Sequence, residues 1–267
     1  YSSHFRKLHN CGHIIYVKKI LFRLKFYTVT LIRLVYSFLK GGESCVVCGN
    51  SCLLIPVCKS CRKKTFKVIT SNNRCEHCGK VLISTKGTCL ECRENPVLVS
   101  TDYTMPLFSY RLWNKELLYL WKMKSVRALS GFFALKVADG LKELGVEFIV
   151  PVPPRKGKIA KNGWDQIDEL CSILEKVYGF GVLKLLERTS KKQQKKLDRN
   201  ERLQTIESAY VMKSDREIEK TLKRGGGCLP GEVCIIDDVC TTGSTLECCA
   251  KLLKQYGIKR VGALTLF

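Results

Sequence analysis

The pattern of apolar and polar positions changes character twice along the chain. Beyond residue 104, short apolar runs at 148–152, 233–236 and 261–266 alternate with stretches whose apolar residues recur every three or four positions, at 112–123, 129–144, 166–178 and 244–256. A run of four to six apolar residues has the length of a strand buried on both faces, and the recurring spacing is that of an amphipathic helix. Their alternation predicts an α/β domain over residues 104–267, a parallel sheet covered by helices. Residues 43–98 read differently, as short polar knuckles with too few apolar residues for a core of their own. Ahead of them lies a third stretch, 1–42, closed by Gly41 and Gly42, in which Ile14, Leu21, Phe22, Leu31 and Phe38 are interleaved with Lys18, Lys19, Arg23, Lys25 and Arg33. It reads as a basic amphipathic extension. A spanning helix needs about 20 nearly unbroken apolar residues, so no integral membrane span is expected.

Composition sharpens this picture in two ways. The 267 residues carry a formal net charge of +22, which attracts phosphates and nucleic acid but leaves the fold open. Ten of the sixteen cysteines lie between Cys11 and Cys92, and eight of them form four CxxC pairs. Cys45, Cys48, Cys58 and Cys61 make one set, and Cys75, Cys78, Cys89 and Cys92 repeat its spacing. Each knuckle sets two sulfurs about one tetrahedral edge apart, so two knuckles supply the four soft ligands that zinc prefers. Two structural zinc ions are therefore expected, with neighbouring knuckles pairing in sequence or interleaving. Thiols kept reduced as metal ligands fit the cytoplasm.

Residues 232–245, EVCIIDDVCTTGST, carry the most chemistry. A buried strand leads to the paired carboxylates Asp237 and Asp238, then to a turn rich in hydroxyls with one glycine, then into a helix. Backbone NH groups of Thr241, Thr242, Gly243, Ser244 and Thr245 can converge on a phosphate, and the helix N-terminus adds positive potential. Two acids beside an anion site repel the anion unless they face other groups, and a pair of sugar hydroxyls suits them. Together these parts describe a ribose 5-phosphate site.

This stretch resembles the signature of the type I phosphoribosyltransferases. With paired CxxC knuckles in front of it, the chain resembles the ComF/GntX family over roughly residues 45–267. The segments 149–154, IVPVPP, and 192–202, KQQKKLDRNER, are similar to further family stretches in the same order. The resemblance implies a type I phosphoribosyltransferase-like parallel sheet flanked by helices, preceded by a small double zinc-ribbon module. It implies phosphoribosyl pyrophosphate with magnesium as ligand, held along Asp237, Asp238, Val239, Cys240, Thr241, Thr242, Gly243, Ser244 and Thr245. Asp237 and Asp238 would act on the ribose, and the loop after Val152, with Arg155, would meet the pyrophosphate.

One segment departs from the family. Where an Arg-Gly-Phe-Asn-Gln sequence is usual, the chain reads Asn162-Gly163-Trp164-Asp165-Gln166, preceded by Lys161. Loss of a forked guanidinium is expected to weaken anion recognition, and so to bear on turnover more than on fold. The basic segment 188–202 is expected either to close as a lid or to form a solvated face. The expected activity is phosphoribosyl transfer to a nitrogen acceptor that the sequence does not identify. The alternative is a non-catalytic sensor of nucleotides that binds single-stranded DNA in competence, with a competence helicase as a further candidate partner.

Overall fold

The structure is a computed structural model. It describes residues 43–53, 55–65, 74–82, 87–109, 113–189, 209–225 and 227–267, with six helical positions farther upstream. Those six, Leu24, Tyr27, Thr28, Leu31, Ile32 and Val35, belong to the N-terminal extension, and their five large apolar side chains are 50–62% exposed. The rest of the extension, and the basic segment beyond Thr189, lie outside the described residues. No helix among the described residues is long and apolar enough to cross a membrane.

The cysteine module comes first. A two-residue ribbon joins β1 (Glu43–Ser44) to β2 (Ser51–Cys52), followed by α1 (Lys59–Thr65) and, after a second knuckle, α2 (Leu90–Glu94). The sequence repeat is also a structural repeat. The NH of Cys45 donates to the Asn50 carbonyl and that of Gly49 to Cys45, and Cys75, Lys80 and Gly79 repeat both bonds, all at 2.8–2.9 Å. Each half then places its last cysteine on a short helix, Cys61 on α1 and Cys92 on α2.

The α/β domain runs β3 (Tyr103–Pro106), α3 (Trp113–Lys122), α4 (Ala128–Glu143), β4 (Phe148–Pro151), α5 (Lys158–Asn162), α6 (Gln166–Ile173) and β5 (Gly181–Val182). It continues with a hairpin of β6 (Leu186–Arg188) and β7 (Tyr210–Met212), then α7 (Asp215–Gly225), β8 (Glu232–Asp237), α8 (Ser244–Gln255) and β9 (Arg260–Thr265). The main sheet has the order β3-β9-β8-β4-β5, with every neighbouring pair parallel. The expected buried strands and amphipathic helices are present. The last turn of the 166–178 stretch is a π-helix, Leu174–Tyr178, that ends at Gly179 in the left-handed region.

Alternation along the strands divides the core between the two faces of the sheet. Ile149, Cys234, Ile236 and Leu264 pack with residues of α3, α4 and α6, and Val150, Val233, Ile235, Val261 and Ala263 pack with α7 and α8. Cys45, Val57, Cys58 and Cys61 join the first of these clusters, so the first knuckle pair rests on the α/β core.

The second knuckle pair docks on β3. Arg74 donates from Nη1 to the Pro106 carbonyl at 2.8 Å and to the Gly79 carbonyl at 3.1 Å. Gly79 has φ +68°, and a Cβ there would lie 2.1 Å from the Thr104 carbonyl oxygen. Its counterpart in the repeat, Gly49, has φ +75° and open space around it. Both positions strain an L-residue, but only Gly79 meets backbone. Gly49→Ala should therefore cost about 1 kcal/mol and Gly79→Ala a further 1–3 kcal/mol, read from denaturant melts of the metal-loaded protein. Equal losses would contradict the docked arrangement.

Candidate ribose-phosphate site

Parallel pairing sets the place of the site. Pro151 pairs with Ile236, and Asp237 pairs with Thr265, so β4, β8 and β9 end close to one edge. The chain turns from β4 towards β5 and from β8 towards β9, so the loops after β4 and β8 leave the sheet side by side at its topological switch point. The Val152 NH extends the ladder by donating to the Ile236 carbonyl at 3.0 Å.

Two-residue alternation carries Asp237 onto the face of Val233 and Ile235. Asp238, one step on, meets the Lys122 ammonium at the end of α3, with Nζ 2.7 Å from Oδ2. The Asp238 NH donates to Oδ1 of Asp237 at 2.8 Å. Burial, and then the charge of Asp238, push the Asp237 carboxyl up to about 7, although that NH and the Lys122 charge act in the opposite direction. A carboxyl that titrates near neutrality at a strand end is a common mark of a working site.

The turn that follows is anchored from behind. The Cys240 NH donates to the Phe267 carbonyl at 2.7 Å, and the Phe267 NH donates to the Asp238 carbonyl at 3.0 Å. Val239 and Cys240 pack against the two apolar clusters, so of the expected contact residues these two offer backbone rather than side chains. Thr241 and Thr242 are exposed. The hydroxyls of Thr242 and Ser244 share a hydrogen bond of 3.0 Å at the start of α8. Gly243 has φ +80° and sits against Leu98, whose Cγ would be 2.9 Å from an added Cβ. The Ser244 NH meets Thr242 Oγ1 at 3.4 Å, and the first NH groups of α8 lack acceptors within the helix itself, an arrangement that can receive an oxyanion.

Beside the loop after β4 lies a cavity of about 220 Å³, walled by Pro151–Pro154, the hairpin residues Leu186–Arg188, and Lys156, Lys184, Lys213 and Asp168. Arg155 is exposed on the same loop and does not line this cavity, whereas Lys156 does. Lys184 is paired with Asp168, and the Arg188 guanidinium stacks 5.3 Å from the Tyr210 ring. Lys156, Lys184 and Lys213 have no local motif around them. Lys156 is already on the loop, and only the pairing of β6 with β7 brings the flanking Lys184 and Lys213 to it.

The segment that departs from the family pattern has a structural explanation. Asp165 caps α6, its Oδ1 accepting from the NH groups of Ile167 and Asp168 at 3.0 Å. Its Oδ2 pairs with Lys158 Nζ at 2.6 Å, and the same ammonium donates to Gln166 Oε1 at 2.5 Å. Asp is as good an N-cap as Asn, and Lys158 balances its charge. The substitution therefore keeps the helix start intact.

In the cysteine module the sulfurs of Cys45, Cys48, Cys58 and Cys61 all lie within 4.8 Å of one another, as do those of Cys75, Cys78, Cys89 and Cys92. The knuckles thus pair in sequence and are not interleaved. The Cys58 NH donates to Cys45 Sγ at 3.2 Å, and the Cys89 NH to Cys75 Sγ at 3.3 Å. Burial raises both acceptor thiols, but these and neighbouring NH groups outweigh it and lower each to about 6. Such thiols readily become the thiolates that a metal needs.

No protein-family model matches the chain. Among curated proteins, competence protein ComFC of Streptococcus pneumoniae is 30% identical over 220 residues, covering 81% of this chain and 88% of that protein. The chain belongs to the ComF family. Competence protein F of Haemophilus influenzae is 26% identical over 215 residues, covering 77% of this chain and 87% of its own length.

The state of Asp237 makes a pH signature. Its carboxyl titrates near 7 in the fold, against about 4 in the unfolded chain. The protonated form therefore favours folding below pH 4, and this contribution is lost as pH rises through 7. Asp237→Asn escapes the loss, so its stability relative to wild type should rise by roughly 1–3 kcal/mol between pH 4 and pH 8. Thermal melts across that range check this, and a difference that does not change with pH would contradict it.

Proposed function

We propose that the protein binds phosphoribosyl pyrophosphate at the carboxyl edge of β8 and transfers its phosphoribosyl group to a nitrogen acceptor. The observation that carries the reading is the juxtaposition, at the switch point of a parallel sheet, of two adjacent carboxylates with a hydroxyl-rich turn at a helix N-terminus. In this reading Asp237 and Asp238 accept from the ribose hydroxyls. Backbone NH groups and hydroxyls from Thr241 to Thr245 hold the 5-phosphate, with Gly243 allowing close approach. The pyrophosphate extends towards the loop after Val152, where Arg155, Lys156 and the lysines of the neighbouring cavity oppose its charge. Magnesium bound with this ligand near Asp237 and Asp238 would offset the negative charge of the departing pyrophosphate. The bond from the anomeric carbon to the pyrophosphate oxygen breaks, the acceptor nitrogen bonds to that carbon, and the acceptor loses a proton. The four histidines, His4, His9, His13 and His77, all precede the α/β domain, so no histidine of that domain serves as base.

A second reading is binding without turnover in DNA uptake, with single-stranded DNA as partner. The names of the two relatives, both competence proteins, favour a place in competence, and the +22 charge suits contact with nucleic acid. A cytoplasmic location goes with either reading, given eight thiols arranged as ligands.

The two cysteine sets suit structural zinc: four sulfurs fill a tetrahedral shell and leave no position for a substrate. Metal analysis should give two zinc ions per chain, falling to one in Cys45→Ser and to one in Cys75→Ser. A metal-free, folded wild type would overturn the assignment.

Calorimetry with phosphoribosyl pyrophosphate and magnesium tests the site. Asp238→Ala should weaken binding about tenfold or more, a loss of about 1.4 kcal/mol. Pyrophosphate release in the presence of ammonia or nucleobases supports transfer. Binding without release across that panel supports the sensor, and an absence of binding removes both.

A further inference from the structure

We propose that Lys122 is the positioning residue of the sugar site: its ammonium holds the Asp238 carboxylate where a ribose diol meets it, and so sets selectivity for ribose over 2-deoxyribose. This rests on the ribose-phosphate reading above and adds a residue from a different part of the chain. Lys122 is the last residue of α3, where a lysine ordinarily faces the helix carbonyls and water. Here it reaches across to the loop after β8 and pairs with Asp238 at 2.7 Å, the two side chains being 34% and 17% exposed. The pair is open enough to meet a ligand and shielded enough to be firmer than a surface ion pair.

The backbone beneath Lys122 is held from two sides. From its own side, the Met123 NH donates to the Tyr119 carbonyl at 2.7 Å and the Val126 NH to the Leu120 carbonyl at 3.1 Å. Between them Ser125 takes φ +54°, the one left-handed residue other than glycine among the described residues. From the other side, Gln166, 4% exposed, donates from Nε2 to the Lys122 carbonyl at 3.1 Å. Trp164 donates from Nε1 to Ser125 Oγ at 3.4 Å, and Arg127 covers the Trp164 ring at 5.5 Å while its Nε meets Glu169 at 2.9 Å. A turn clamped in this way fixes the origin of a flexible side chain, which is the condition for a lysine to position another group.

The charges around the acidic pair leave this task to Lys122. Asp165 contributes further negative charge towards Asp237, and Lys158 is engaged with Asp165 and Gln166. Among the described residues, Lys122 is the cation paired with either acid of the site. Held through Oδ2, Asp238 presents Oδ1 and its remaining lone pairs to incoming hydroxyl donors. The phosphate meets backbone NH groups that are the same for either sugar, so sugar selectivity and phosphate affinity should separate. A site built to bond a hydroxyl discriminates strongly against a ligand that lacks it.

Calorimetric titration with ribose 5-phosphate and with 2-deoxyribose 5-phosphate tests this. Wild type should prefer ribose 5-phosphate. Lys122→Met should lose about tenfold in affinity for ribose 5-phosphate and none for the deoxy sugar, and Lys122→Arg should recover most of the preference. In an Asp238→Asn background, Lys122→Met should cause no further loss, because it acts through that carboxylate. Lys122→Gln carries the same comparison if the methionine variant does not fold. A preference unchanged in Lys122→Met, or equal weakening for both sugars, overturns the inference while leaving the site in place. A wild type that binds both sugars equally overturns it as well, and a wild type that binds neither removes the ribose-phosphate reading on which it stands.

Discussion

The parallel ladder joining β4, β8 and β9 is the constraint on which the remaining structure depends. Parallel neighbours cannot be joined by a tight hairpin, so each strand needs a crossover, and the loops that carry chemistry collect at one edge. Register decides what those loops present. With Asp237 opposite Thr265 and Ile236 opposite Pro151, β8 delivers its acids just as the apolar ladder ends. A slip of one residue would turn Asp237 towards the other apolar cluster and bury a charge there without a partner.

The cysteine module is part of that framework. Leu98 underlies Gly243, and the Ser100 NH donates to both carboxylate oxygens of Glu247, at 2.8 and 2.9 Å, in the first turn of α8. The stretch leaving the knuckles thus braces the helix whose N-terminus faces the hydroxyl-rich turn. Arg74 and Gly79 clamp the other end of the module to β3. Residues 43–98 have too little apolar surface to fold alone, and ligation of the sulfurs would supply what a core lacks.

Charge has different roles at two scales. The whole chain is strongly basic, and the cavity beside the loop after β4 brings Lys156, Lys184, Arg188 and Lys213 together. Such a field draws anions from a distance. At the centre, Asp237 and Asp238 are acidic and partly buried, which suits hydroxyl donors and disfavours a bare phosphate at that point. Lys122 makes the two charges compatible by pairing with one of them.

Much of this was legible locally. Buried strands, amphipathic helices, repeated knuckles and the turn at 237–245 depend on neighbours within a few residues, and period and spacing express them directly. The short edge elements were less legible. β5 has two residues and β3 ends in Pro106, so neither shows a clear period, and α7 sets its two large apolar residues, Ile218 and Leu222, one turn apart in an otherwise polar stretch. Beside the missing arginine, Asp165 is the second departure from the family pattern in that segment. The fold makes it a helix cap balanced by Lys158. By itself the sequence determined which segments could be strand, helix, metal knuckle or anion turn, because those choices follow from local chemistry. Only the tertiary structure decided that Lys122 meets Asp238, that Gln166 pins the carbonyl beneath it, and that Leu98 supports Gly243, because each contact joins residues far apart in the chain through the crossovers of one sheet.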